Sequence, residues 1–277
     1  FAIRVLKALF MVKYFSNFKT TKRNITVLMI DDMKVNLKDH DKHIEEALNI
    51  LENQSYAQRT GDIYEFLTDD EKDVEQEIKA TDIDESTVNQ FLKEIFFDEI
   101  IRDNKIKYTD NKFDYEYTSK IDGTTFGREK ELEIEIITPN FYDYDNLSII
   151  QAQTIGSPTM KMILPSDSIF MKDLKLYLRT DKYVKQNRST SNRPEVKRIL
   201  QEKAEQNAVR RRNLIVLGKK HLAASDVYMN GGKHDGGSSS DGKTKVFNTF
   251  QDLVKIAYPN LRMLGTIQYS EETIKNT

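Results

Sequence analysis

The chain has 277 residues, with 42 Lys and Arg against 44 Asp and Glu, 10% aromatic residues and no cysteine. Missing cysteine excludes disulfide scaffolds, thiolate zinc sites and cysteine nucleophiles, and fits a reducing cytoplasm. His40, His43, His221 and His234 are too few for a histidine-rich metal centre, and no apolar run is long enough to span a membrane.

The length suits two or three modest domains, and the aromatic content argues against disorder. The chain opens at Phe1 inside an apolar helical pattern, which reads as an internal piece of a longer protein. Charge is unevenly spread. Residues 31–146 carry 32 acidic and 14 basic side chains, whereas residues 172–221 carry 15 basic and 5 acidic ones. The basic stretch can face nucleic acid, or it can face the acidic half.

Residues 2–15 are apolar on nearly every side and predict a buried helix. A short helix follows, with Ile25, Leu28 and Met29 on one face, then a very short strand at Val35 and Leu37. Asp39 or Asp41 is placed to cap a third helix, whose stripe is Ile44, Ala47, Leu48 and Leu51. Two alternating runs around Gly61 read as a hairpin. Three helices and a hairpin are the order of a winged helix. Its third helix would then read DNA, but Asp39, Asp41, Glu45, Glu46 and Glu52 would repel phosphates there.

Thr68 and Glu71 form a capping-box pattern ahead of Val74 and Ile78. Val88, Phe91, Leu92, Ile95, Phe96 and Ile100 then line one side of a stronger helix. Alternation predicts antiparallel strands at Phe113–Tyr117, Leu132–Ile136 and Met160–Leu164, with a turn at Ile121–Gly123. Glu131, Glu133 and Glu135 share a strand face. A row of this kind usually solvates an exposed face, and no histidine or second carboxylate motif converges on it to suggest acid–base or metal chemistry.

Asp167 or Ser168 can cap a helix carrying Phe170, Leu174, Tyr177 and Leu178, and Ser189–Asn192 is a loop. Pro194 suits the first turn of a long helix reaching to Tyr228. Its inner side would be Val196, Ile199, Leu200, Ala204 and Ala208, and Gly218 would kink or interrupt it. Lys197, Arg198, Arg210, Arg211, Arg212, Lys219 and Lys220 make this helix the best nucleic-acid candidate in the chain. In the Gly/Ser loop 230–244, Gly237 to Thr244 matches the P-loop pattern, but no buried strand precedes it. A helix with Phe247, Phe250, Leu253 and Val254 starts a few residues late for a P-loop, and Glu271–Thr277 is a polar tail.

Several stretches together resemble the large P-loop ATPase subunit of BREX phage-defence systems, the BrxC/PglY family. They include Arg4–Tyr14, Thr21–Ile25, Tyr64–Thr68, Ile121–Gly123, Glu133–Pro139, Arg179–Val184 and Val227–Gly231. The resemblance covers most of the chain through scaffold patterns, and none of the family's ATPase motifs is present. It implies a non-catalytic part of an AAA-like antiviral-defence ATPase, downstream of the nucleotide site. ATP and magnesium are then expected for the parent protein and no cofactor or metal for this part. The implied partners are other BREX subunits, further copies of the chain and double-stranded DNA, in the cytoplasm and away from membranes.

The expected fold class is mixed α+β and helix-rich. A winged-helix domain (1–67) would be followed by helices plus antiparallel strands (68–166) and a helical segment with the basic long helix (167–277). The rival functions are a stand-alone winged-helix DNA-binding regulator and a structural assembly module whose acidic and basic halves pair.

Overall fold

The computed structural model describes residues 1–15, 17–32, 34–189, 193–235 and 241–261. The chain is mixed α+β and rich in helix. It forms two compact units, each built from two separated stretches: Phe1–Asp84 with Lys172–Leu214, and Glu85–Met171 with Ile215–Thr277.

The first unit begins with helices α1 (Ala2–Val12), α2 (Lys22–Leu28) and α3 (Leu37–Asn53), followed by a hairpin of β1 (Ala57–Thr60) and β2 (Ile63–Phe66). Gly61 supplies the positive φ of the two-residue turn. Thr21 forms a β-bridge to Ile63, so the segment before α2 joins the hairpin. Val5, Leu9, Ile25, Ile44, Leu48 and Ala57 close a common core.

Three local expectations change here. Helix α1 buries Val5 and Leu9 but leaves Ile3 69% and Met11 80% exposed, because only one of its faces meets the rest of the core. Asn36, rather than Asp39 or Asp41, caps α3 by accepting the Lys38 N–H. Leu37 is consequently the first helical residue, and Val35 and Leu37 form no strand.

Helix α4 (Asp69–Ala80) opens with the reciprocal box, in which the Thr68 side chain accepts from the Glu71 N–H and Glu71 accepts from the Thr68 N–H. Its Val74 and Ile78 pack with Tyr183 and Val184 of α7 (Ser168–Asn187) and with Ile199 and Leu200 of α8 (Pro194–Ala224). Lys203 on the same face forms an ion pair with Glu75, both side chains being almost wholly buried. Lys203 also donates to the Gln58 side chain. Lys172–Glu52 and Arg193–Asp70 add more exposed pairs, so several cations of the basic stretch meet the acidic one inside this unit.

The second unit starts with α5 (Glu85–Lys93), which continues as a π-helical stretch over Glu94–Ile101 and ends at Arg102 with φ +67°. The strands are β3 (Lys105–Lys107), β4 (Asp114–Ile121), β5 (Thr124–Phe126), β6 (Leu132–Ile137), β7 (Thr159–Ile163), β8 (Asp226–Met229) and β9 (Gly232–His234). They run in the order β3-β4-β6-β7-β8-β9, with β5 also paired to β4. Two further helices, α6 (Leu147–Ala152) and α9 (Gly242–Ala257), complete the unit.

The three strands expected from the sequence are β4, β6 and β7, and their pairings are parallel, not antiparallel; the antiparallel partners of β4 are the unexpected strands β3 and β5. Parallel strands are usually covered on both faces, so the glutamates of β6 are not a solvated row. Glu135 is 3% exposed and pairs with Lys161, the residue directly opposite it on β7. Its other oxygen accepts the Gly123 N–H. Glu133 pairs with Lys120, and Glu131 accepts from the Tyr258 hydroxyl.

Helix α8 also departs from expectation. It runs unbroken through Gly218 and stops at Ala224, and Val227–Met229 are strand instead of helix. Gly218 is there for closeness, since a Cβ would lie 3.1 Å from Ile95 and 3.2 Å from Ile100. Asp167, as expected, caps α7 by accepting the Ile169 and Phe170 N–H groups.

Two stability tests follow from these buried charges. Lys203→Met strands the Glu75 carboxylate and should cost about 3–5 kcal/mol in chemical denaturation, whereas adding Glu75→Leu should recover most of it. Burial of Asp122 raises its pKa from 3.8 to about 6, against the Thr138 N–H and hydroxyl that pull it down. Between those values the folded state holds a proton that the unfolded chain has lost, so stability falls as pH rises through the window, by up to about 3 kcal/mol. Asparagine accepts the φ of +45° at this position. Asp122→Asn should therefore fold and flatten the dependence of Tm on pH between about 4 and 6, and an unchanged slope would assign that dependence to other groups.

Candidate nucleic-acid interface

A duplex-binding surface needs cations that are exposed and not already neutralised by carboxylates. The seven basic residues singled out on α8 divide on this criterion. Lys197, Arg198, Arg210, Arg211 and Arg212 belong to the first unit, and Lys219 and Lys220 to the second.

In the first unit, Lys197, Arg198 and Arg212 are exposed. Arg198 is tied to Glu202 one helical turn on, at 2.7 Å. Lys197 and Arg212 have no carboxylate partner among the described residues. Arg211 is half-buried and has an interaction partner. Arg210 is half-buried as well, and donates to the Asn207 side chain at 2.8 Å. Burial holds its pKa below the ordinary guanidinium range.

The helix explains this split. Ile199, Lys203, Asn207, Arg210 and Leu214 recur every three or four residues, which places them on one stripe. That stripe is the inward face, while Ala208, expected inside, is exposed. Arg211 and Arg212 point off it by one and two residues. The signal for Arg210 was therefore in the sequence, but it lay in a stripe interrupted by a lysine and an asparagine.

In the second unit, Lys219 and Lys220 are exposed near the end of α8 and make no direct ion pair among the described residues. Lys219 does act on the Asp241 carboxylate through space, helping to hold its pKa down.

The P-loop match falls in the same unit. Gly237–Ser240 lie outside the described residues, as do Thr190–Asn192 of the expected loop and the tail Glu271–Thr277. The described part of the match has other roles. Asp241 caps α9 by accepting the Thr244 N–H at 3.1 Å and the Thr244 hydroxyl at 2.9 Å. A carboxylate thus occupies the helix start where a P-loop would hold phosphate, and the hydroxyl expected on magnesium is engaged. Lys243 pairs with Asp103. The strand before the loop, β9, has three residues and lies antiparallel on β8 at the end of the strand order. Helix α9 starts inside the motif, at Gly242, rather than late. A Cβ on Gly242 would lie 2.8 Å from the Lys219 carbonyl oxygen and 2.9 Å from the Leu222 Cβ, so this glycine lets α9 approach the end of α8.

Gly242→Ala should therefore lower stability by about 1–3 kcal/mol, because backbone atoms must move. Lys243→Ala, at an exposed pair, should change it by less than about 0.5 kcal/mol and leave any ATP retention by the chain unchanged. Thermal melts and an ATP-binding assay on the two variants check both.

Among the described residues no group of three or more His, Asp or Glu side chains could hold a metal ion, and no helix is long and apolar enough to cross a membrane. No solved structure matches the chain. Residues 81–253 match the family described as the BREX ATP-binding protein BrxC 4th domain with six-stranded beta sheet. The match takes in all of the sheet β3–β9 and most of α9. The six strands in sequence from β3 to β9 agree with that description, β5 being the additional one. The chain therefore belongs to the BrxC family of BREX ATP-binding proteins, as part of a BREX defence ATPase.

Proposed function

We propose that this chain is a non-catalytic portion of an AAA-like BREX ATPase, coupling the ATPase core to partner assembly and contacting double-stranded DNA through the exposed cations of α8. The observation that carries the DNA reading is the set Lys197, Arg212, Lys219 and Lys220, exposed and in no direct ion pair among the described residues. Such groups give up condensed counterions to a phosphate backbone and need no base readout. In this reading ATP and magnesium act in the parent protein, in the cytoplasm, and the partners are other BREX subunits and further copies of the chain.

The three N-terminal helices and their hairpin are read as a winged helix used for protein contact. Lys22 already binds Asp41 and Glu45 at 2.8 and 2.7 Å, and the remaining acids of α3 disfavour a phosphate backbone. This argues against the stand-alone DNA-binding regulator. The assembly-module reading draws on the pairs Lys172–Glu52, Arg193–Asp70 and Lys203–Glu75, which account for part of the basic stretch without any nucleic acid.

Titration of the full chain into fluorescent duplex DNA at several salt concentrations tests the reading. Affinity should fall steeply with salt. Lys219→Glu/Lys220→Glu and Lys197→Glu/Arg212→Glu should each weaken binding at low salt, and each contact removed should reduce the salt slope by about 1. Binding that both double variants retain at full strength would remove α8 from the interface.

A further inference from the structure

The first unit contains a cavity of about 310 Å³ that the DNA reading does not use. Its walls come from the end of α3 (Glu52), β1 (Gln58, Arg59), α4 (Glu75, Lys79), α7 (Lys172, Lys175, Leu176, Arg179) and α8 (Arg210). Six cations thus face two carboxylates. The carboxylates are already taken, Glu52 by Lys172 at 3.0 Å and Glu75 by Lys203. Arg59 has its own partner in Asp173 at 3.7 Å.

Four cations make no direct ion pair among the described residues: Lys79, Lys175, Arg179 and Arg210; Glu75 and Glu52 act on Lys79, and Asp173 and Glu75 on Arg210, only through space. Lys79 is held only by neutral oxygens, donating to the Glu52 carbonyl at 2.5 Å and the Ser55 hydroxyl at 3.0 Å. Burial lowers its pKa, against the Glu75 and Glu52 charges that raise it, with Lys172 and Lys203 lowering it further. Arg210 donates to a neutral amide. The Arg179 Nε–H is buried and has no acceptor among the described residues. Buried donors are nearly always satisfied, so an orphan N–H beside an excess of desolvated positive charge calls for an anion that the protein itself does not supply.

We propose that this cavity binds a small phosphoanion, either free phosphate or the phosphate tail of a nucleotide. Two guanidinium groups and two ammonium groups suit an anion with more than one charge and several acceptor oxygens, which a single carboxylate lacks. The volume is at the low end for small-molecule pockets and admits no duplex. Arg179 supplies the unfilled donor, and Lys172, with 57% of its side chain exposed, stands at the mouth. The site is separate from the exposed cations of α8, so either reading can fail without the other.

Isothermal titration of the full chain at low ionic strength, with orthophosphate, pyrophosphate, magnesium-free ATP and acetate as probes, tests this. At least one phosphate-bearing probe should saturate a single site, and Arg179→Gln and Lys175→Gln should each weaken it at least tenfold. Lys255→Gln, an exposed residue of α9 outside both proposed sites, should leave it unchanged. Orthophosphate as tight as ATP identifies free phosphate as the ligand, and tighter ATP identifies the nucleotide tail. Circular dichroism melts check folding, and if Arg179→Gln does not fold, Lys175→Gln alone decides. No saturable binding, acetate binding as well as phosphate, or binding that survives the substitutions would overturn the proposal.

Discussion

The pair between Lys203 and Glu75 joins a helix from late in the chain to one from its beginning, and the first unit depends on that junction. Neither charge is stable in a low-dielectric interior alone, so each makes the other's position obligatory. Around the pair, Val74 and Ile78 meet Tyr183, Val184, Ile199 and Leu200. The apolar contacts supply the bulk of the stabilisation and the ion pair fixes the register in which they form. The same junction sets the charge of the cavity beside it. Lys203 takes up the Glu75 carboxylate, as Lys172 does Glu52 and Arg59 does Asp173, so the cavity's remaining cations have no direct ion-pair partner among the described residues.

The second unit repeats this logic within a sheet. Glu135 and Lys161 lie opposite one another on adjacent parallel strands, both almost wholly buried. A strand slipped by one residue would move both charges onto the wrong face, so the pair selects one pairing of β6 with β7. Two of the protein's ion pairs are therefore internal architecture. The surface cations proposed for DNA are among those outside any direct pair.

Much of the helical scaffold was legible in the sequence because it rests on local rules. Thr68 with Glu71, Asp167 and Pro194 mark helix starts through chemistry within three residues, and each stands where expected. The hairpin turn at Gly61 was legible for the same reason. Strand direction was not. Alternating Glu and Ile in β6 is the pattern of a half-exposed strand, and the lysine that permits burial of Glu135 lies on a different strand. Val227–Met229 is an apolar run too short to distinguish strand from helix, so the sequence pattern runs the helix on to Tyr228. On the candidate interface, composition located the basic helix, but the inward stripe through Lys203, Asn207 and Arg210 is partly polar and carried no hydrophobic signal. The cavity was invisible, because its lining comes from five elements that only the fold brings together.

Both units are closed by segments far apart in the chain, and this has a consequence for how the protein reaches its fold. The core of the first three helices and the hairpin lies within residues 1–66, but Val74 and Ile78 of α4 have no partners until Lys172–Leu214 has been synthesised, and the strands of Glu85–Met171 wait for β8 and β9. Each unit therefore requires closure of a long loop before its late contacts form, which slows folding and prolongs exposure of apolar surface. On the ribosome the N-terminal core can close early, while α4 and the sheet wait for later segments. A chain interrupted near residue 171 would keep that core but leave the α4 cluster and the sheet unfinished.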